Sequence, residues 1–195
     1  MSNDIDYLNN ILSYTPNKDN LIGSHNFYTQ RYTGLEYNYF IKCSKRFKEH
    51  GIRTSAFINS KAATFGPWDI NDGLCTLEMH RDLPVTIQAK HLWATGLIDA
   101  VVIGNAYASE EELKALGEPN PYQLELDIEL EDGISDIEKH ILFNEKHIRR
   151  GDISEYMIRS TEVRKRYVGS DIPDRIYDKQ NLGDVVIGNN NFGKY

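Results

Sequence analysis

Apolar residues follow two alternating rhythms over the first 145 positions. Spacings of three and four mark helices, and short unbroken apolar runs mark strands. Ile5, Leu8, Ile11 and Leu12 predict a short helix over 5–14 that ends before Pro16. Leu21 to Ser24 or His25 reads as a short strand. Leu35, Tyr39, Cys43 and Phe47 then recur every four residues, Phe40 widens the stripe, and Gly51 follows as a C-terminal cap. Thr54 to Asn59 is a β-type run, which completes a strand-helix-strand unit. Residues 60–75 form a long loop with Gly66-Pro-Trp68 and Asn71-Asp-Gly73, a length that goes with function or mobility in compact domains. A helix follows, with Pro84 in its first turn and Gly96 at its end. Asp99 to Gly104 is the most apolar strand and suits a parallel strand covered on both faces.

Beyond it, Ser109 and Glu112 make a capping box, and the glutamates at 110–112 complement the helix dipole, so these carboxylates have a sufficient structural explanation. Gln123 to Leu130 alternates strictly, which predicts a strand with Glu125, Asp127 and Glu129 on one face, read as solvated in preference to a ligand-facing row. Ser135 and Glu138 make a second capping box before a helix through Phe143. From about residue 145 the texture changes to loops, with strands expected at Tyr156–Thr161 and Asp184–Gly188. The pattern is β-α-β-α-β-α-β with a β-rich tail. Four such strands make either half of an eight-stranded barrel or a small open sheet, and periodicity does not choose between them.

Composition narrows the function classes. The 195 residues are 40% hydrophobic, enough for a sizeable core, and carry a formal charge of −7. Basic residues cluster at 146–150 and 159–166 with acidic ones close by, so there is no nucleic-acid footprint. No apolar run approaches the roughly 20 residues that span a bilayer. The N-terminus lacks the basic and apolar regions of a signal peptide, and a cytoplasmic location is expected. Cys43 and Cys75 have no metal-ligand spacing and are expected as reduced thiols, Cys43 in the core.

The densest chemistry lies in the loop from His25 to Leu35, between the first strand and its helix. In α/β proteins such loops, at the carboxyl ends of parallel strands, bind ligands. His25 can titrate near neutral pH, Asn26 both donates and accepts, Tyr28 and Tyr32 offer flat faces with hydroxyl tips, and Arg31 offers a donor fork. The competing structural reading puts Phe27 and Tyr28 in the core, His25 at a strand end and Arg31 in solvent.

The run His25-Asn-Phe-Tyr28, with Arg31 and Thr33-Gly-Leu35, resembles the MupG family, the 6-phospho-N-acetylmuramidases. Ala56-Phe-Ile58, Gly66-Pro67, Gly73-Leu74, Thr76-Leu-Glu-Met-His-Arg81, Val102-Ile-Gly104, Ala108 to Leu113, Ser154-Glu-Tyr156, Ile158 to Thr161 with Arg164, Gly183-Asp184 and the closing Asn-Phe-Gly-Lys-Tyr follow in the family's order. The resemblance implies an α/β fold. Residues 1–150 would be the second, C-terminal half of a (β/α)8 TIM-type barrel. Residues 151–195 would be a linker and the truncated start of a cyclophilin-like β domain. Thr29, Asn105-Ala106 and Trp68-Asp-Ile depart from the family's pattern, and Asn105 cannot ionise where Asp often stands.

The implied reaction is hydrolysis of the bond between MurNAc 6-phosphate and GlcNAc in cytoplasmic peptidoglycan recycling, with no metal or organic cofactor. Glycoside hydrolysis uses one carboxylic acid as proton donor and one carboxylate as nucleophile or base. Glu78 is the candidate here, against a plain pairing with Arg81 or His80, and the second carboxylate would lie in the missing half. His25, Asn26, Tyr28, His80 and Asn105 are candidates for contacts with the phosphorylated amino-sugar disaccharide, and Arg31 and Arg159 for its phosphate or lactyl carboxylate. The alternatives are a non-catalytic sugar-phosphate-binding remnant or one chain of a split protein, completed by self-association or by a missing half-barrel chain. A barrel aldolase is discounted, since Lys61 has no obvious neighbour to depress its pKa.

Overall fold

The computed structural model describes residues 5–152, 154–175 and 179–192. Asp4 and the residues before it, and Gly193-Lys-Tyr195 of the closing motif, lie outside the described residues. The chain divides into two compact units, Met1–Leu126 and Asp127–Tyr195. The change of texture near residue 145 falls inside the second.

The first unit is an α/β layer built on three parallel strands in sequence order: β1 (Ile22–Ser24), β2 (Arg53–Ile58) and β3 (Ala100–Ile103). Gly23 pairs with Thr54, and Ala56 with Val101. Helix α1 (Ile5–Ser13) precedes the sheet. Helix α2 (Tyr37–Glu49) crosses from β1 to β2, α3 (Val85–Ala94) from β2 to β3, and α4 (Glu110–Gly117) follows β3. Side chains alternate across a strand, so the register assigns its two faces. Ala56, Ile58, Val101 and Ile103 share the helix-facing side, where they pack with Phe40 of α2 and Val85, Ala89 and Leu92 of α3. Ile22, Ser55, Phe57 and Val102 share the other side, where Ile22 and Val102 are exposed.

Local chemistry accounts for the helix ends. Glu36 caps α2 by accepting from the Asn38 and Tyr39 N–H groups at 2.8 Å each. Ser109 and Glu112 form the expected capping box of α4. Gly104 admits no side chain, because a Cβ there would lie 2.4 Å from the Leu74 carbonyl oxygen. That close approach lets the loop after β2 cross the end of β3. At the opposite end of the sheet, Asp99 accepts from the Thr54 N–H at 2.7 Å and pairs with Lys48 at 2.5 Å. Cys43 and Cys75 are both buried and form no disulfide.

The second unit holds α5 (Asp136–Asn144), opened by the expected Ser135–Glu138 capping box, and a small core of Ile141, Val163 and Ile172. None of the three late strands expected from the sequence forms. Residues 123–130, 156–161 and 184–188 are irregular, with Leu124, Leu126, Ile158, Val185 and Val186 exposed. Alternation makes a strand only where a neighbouring strand completes its ladder. Among the described residues every strand belongs to the β1–β2–β3 sheet, and none of them pairs with these segments. Without a strand there is no carboxylate face, but Glu125, Asp127 and Glu129 are exposed as expected, with Glu125 paired to Lys90 at 3.0 Å.

Candidate functional site

Three loops meet at the carboxyl ends of the strands: His25–Glu36 after β1, Asn59–Pro84 after β2, and Gly104–Ser109 after β3. The long second loop returns beside β2 in the slot that β1 leaves by ending at Ser24. The Thr76 N–H donates to the Phe57 carbonyl at 2.9 Å, and the Phe57 N–H donates to the Thr76 hydroxyl at 2.8 Å. On its far side this segment holds the first loop, through Tyr28 N–H to the Cys75 carbonyl at 3.1 Å and Leu35 N–H to the Thr76 carbonyl at 2.9 Å.

Glu78 and Arg81 lock the two loops together. Glu78 accepts from the Tyr32 N–H at 2.8 Å and the Gly34 N–H at 2.7 Å. Arg81 donates to both of its oxygens, at 2.7 and 2.6 Å. Its remaining Nη1 group donates to the carbonyls of Tyr28, Asp72 and Gly73 at 3.0, 3.3 and 3.2 Å. Arg81 is almost wholly buried, with 1% of its side chain exposed against 28% for Glu78. The Arg81 hydrogen bonds, helped by the two backbone donors and opposed by partial burial, hold the Glu78 carboxyl down to about 2. Glu78 is therefore an ionised clamp at neutral pH, with both oxygens engaged. Gly34 must be glycine here, because a Cβ would lie 2.7 Å from the Glu78 backbone nitrogen.

The two histidines face the core. His25, one residue past β1, alternates onto the helix side, where its ring lies 4.6 Å from that of Phe40. The Ser44 hydroxyl donates to the Phe40 carbonyl at 2.8 Å, so it receives the His25 Nε2 hydrogen, also at 2.8 Å. His80 pairs through Nε2 with His91 Nδ1 at 2.7 Å, and His91 stacks on Tyr37 at 5.2 Å. Burial pushes both His25 and His80 down to about 3, with nearby positive charge adding to the effect at His25 and His91 at His80. Both are neutral at physiological pH.

The remaining candidates divide. Asn105 is buried and uses its whole amide on the second loop, accepting from the Ser60 N–H at 2.8 Å and donating to the Ser60 and Ala63 carbonyls at 2.8 and 3.2 Å. Arg31 is half-buried and its fork closes on Asp82 at 2.7 and 3.0 Å, which raises its pKa further. Arg159 lies in the second unit and donates to Asp152 at 2.6 Å. Asn26 and Tyr28 do line an open cavity of about 310 Å³, together with Phe27, Thr29, Gln30 and Thr33. Trp68, from the second loop, completes its wall.

Arg81 as the hub and Trp68 as a wall of the cavity escape a reading of the sequence. So does the amide pair at Asn59 and Gln88, where the Asn59 N–H donates to Gln88 at 3.0 Å and Gln88 donates back to the Asn59 carbonyl at 2.9 Å. The spacing of three on a helical turn gives the Glu78–Arg81 pairing weighed above, but nothing in it points to the carbonyls of Tyr28, Asp72 and Gly73. Among the described residues no group of three or more His, Cys, Asp or Glu side chains could hold a metal ion. No helix among them is long and apolar enough to cross a membrane.

Two family models match the chain. One, described as 6-phospho-N-acetylmuramidase, N-terminal, matches residues 1–118, and the other, described as 6-phospho-N-acetylmuramidase, C-terminal, matches residues 124–195. Two solved structures are similar. An uncharacterized protein of B. cereus is 64% identical, with a TM-score of 0.90, over 100% of this chain and 56% of its own. A conserved protein from a locus in Enterococcus faecalis, with an unknown function, is 28% identical with a TM-score of 0.53, over 60% of this chain and 32% of its own. The chain thus spans little more than half of the first and about a third of the second. A comparison with curated proteins returned no match. Matched by both models in order, over residues 1–118 and 124–195, the chain belongs to the MupG family of 6-phospho-N-acetylmuramidases.

Proposed function

We propose that this chain forms part of a cytoplasmic glycoside hydrolase that cleaves MurNAc 6-phosphate-GlcNAc during peptidoglycan recycling. The match of both family models carries this reading. In this reading the first unit belongs to the second half of a (β/α)8 barrel, and a cyclophilin-like domain opens within the second unit, which begins at Asp127, ahead of the boundary expected near residue 150. Three parallel strands in sequence order, joined through helices, fit a barrel wall. The strand face bearing Ile22, Ser55, Phe57 and Val102 fits its inner side. The cavity beside Asn26 and Tyr28 then lies at the end of the barrel where substrates bind.

The reaction requires a protonated carboxylic acid next to the leaving oxygen. Glu78 is held ionised, and so are Asp82 by Arg31 and Glu112, which accepts from Ser60 and the Lys61 N–H. Glu78 therefore shapes the loops, and the proton donor is sought elsewhere in the hydrolase. The same observation favours a second reading, in which this chain alone binds the phosphorylated sugar without cleaving it.

One experiment separates the two. The purified chain is incubated with 4-methylumbelliferyl MurNAc 6-phosphate, and binding of MurNAc 6-phosphate is measured in parallel by calorimetry. Release of the fluorophore supports the hydrolase, binding without release supports the second reading, and neither signal refutes both.

A further inference from the structure

We infer that the cavity at the end of β1 is a subsite for one uncharged N-acetylhexosamine ring, with the Trp68 indole as its stacking face and the Asn26 and Gln30 amides as its hydrogen-bonding groups. The inference rests on the proposed function for the ligand being a sugar, and goes further in assigning this cavity to the unphosphorylated ring.

Use of hydrogen-bonding capacity separates these residues from the other amides of the strand ends. Asn59, Gln88 and Asn105 turn their side chains onto backbone groups within the loops. The side chains of Asn26 and Gln30 make no hydrogen bond to any described residue, and both residues line the cavity. An acetamido group with neighbouring hydroxyls offers both donors and acceptors, as two free amides require.

Charge decides which ring fits. Every residue lining the cavity is uncharged. Arg31, within the same loop, is engaged by Asp82, and Arg81, which reaches the Tyr28 carbonyl, by Glu78. A phosphate placed here would give up its hydration without a counter-ion. The volume, about 310 Å³, lies at the small end of the roughly 300–1,000 Å³ range of ligand sites, which suits one ring.

The floor is already ordered. Phe27 meets Phe57 edge-on at 5.2 Å, the Tyr28 N–H is tied to Cys75, and the Thr29 carbonyl accepts from the Asp72 N–H at 2.9 Å. Little ordering is left for binding to impose. Trp68 is 64% exposed, a large flat apolar face on which the C–H side of a pyranose can lie.

The test is a fluorescence titration. The chain has two tryptophans, Trp68 and Trp93, and Trp93 packs against the core. GlcNAc, its methyl β-glycoside and inorganic phosphate are the probes. GlcNAc and the glycoside are expected to change the indole emission saturably and to shield it from acrylamide. W68A should weaken binding, read by calorimetry, by about tenfold, and N26A/Q30A by at least as much, with an unchanged circular dichroism spectrum. W93F should keep the full fluorescence response; should that variant fail to fold, the difference between wild type and W68F reports the same quantity. Equal binding by W68A, or competition by inorganic phosphate, overturns the subsite. Binding of MurNAc 6-phosphate without any binding of GlcNAc overturns it and leaves the proposed function standing. Binding of neither overturns both.

Discussion

Replacing Arg81 by Met tests whether the strand-end loops depend on one buried guanidinium. Met keeps most of the length and apolar stem and removes all five donated contacts. Breaking a fully buried ion pair from one side costs about 3–5 kcal/mol. Glu78 keeps its two backbone donors and is 28% exposed, so water reaches it and the pair is placed at about 2 kcal/mol. Three carbonyls also lose a donor. Their contacts are long, 3.0–3.3 Å, and together add about 1 kcal/mol. A total near 3 kcal/mol should lower the Tm of the first unit by about 10 °C. The assay is scanning calorimetry with hydrogen exchange at the Tyr32 and Gly34 amides, which donate to Glu78. Those two amides should exchange faster than the β2 amides lose protection. The matched control is R31A, which breaks an exposed pair and should move Tm by no more than about 2 °C. Equal shifts for the two variants, or an R81M melt within about 2 °C of wild type, would refute the hub.

Acid should destabilise the first unit in two stages. His25 and His80 fall from 6.5 to about 3 on folding, so the unfolded chain takes up protons that the fold refuses, and stability complete above about 6.5 is lost as pH falls toward 3. Glu78, lowered from 4.5 to about 2, keeps its contribution above about 4.5 and loses it between there and 2, and its exposure holds that to about 1–2 kcal/mol. Thermal melts from pH 7 to 4 should therefore already decline above pH 5, and a flat profile there would contradict neutral buried histidines. G104A should cost about 1–3 kcal/mol, since the new Cβ meets the Leu74 backbone, and calorimetry would show a smaller loss if the loop can move away. N105D turns the donors to the Ser60 and Ala63 carbonyls into acceptors and should cost at least about 2 kcal/mol by urea melt, while an unperturbed midpoint would mean the second loop does not rest on this amide.

The sheet was legible because its signals are local. The stripe from Leu35 to Phe47, the apolar run at 99–104 and both capping boxes mark elements that form where the pattern puts them. The late strands were not, because alternation at 123–130 reports a face and says nothing about a neighbouring strand to bond with. His25 shows how near the sequence came. Counting by twos from Gly23, buried on β1, already turns His25 toward α2, where Ser44 and Phe40 wait on the opposite helix face. Alternation thus favoured a core histidine over a ligand.

The chemical identity of a side chain could not separate clamp from binding group at this site. Asn26 and Asn105 both stand just beyond a parallel strand, at equivalent places in the chain pattern. Asn105 follows β3, which the loop after β2 crosses closely enough to require Gly104, and its amide is consumed in holding that loop. Asn26 follows β1, which ends early. The second loop fills the vacant slot through backbone pairing at Thr76 and Cys75, and it engages Asn26 only through its main-chain carbonyl, which accepts from the Thr76 hydroxyl at 2.9 Å. Its amide makes no hydrogen bond to a described residue, and Asn26 lines the cavity. The difference is set by strand length and by the path of a loop fifty residues away in sequence, so the same residue type is structural at one strand end and open to a ligand at the other.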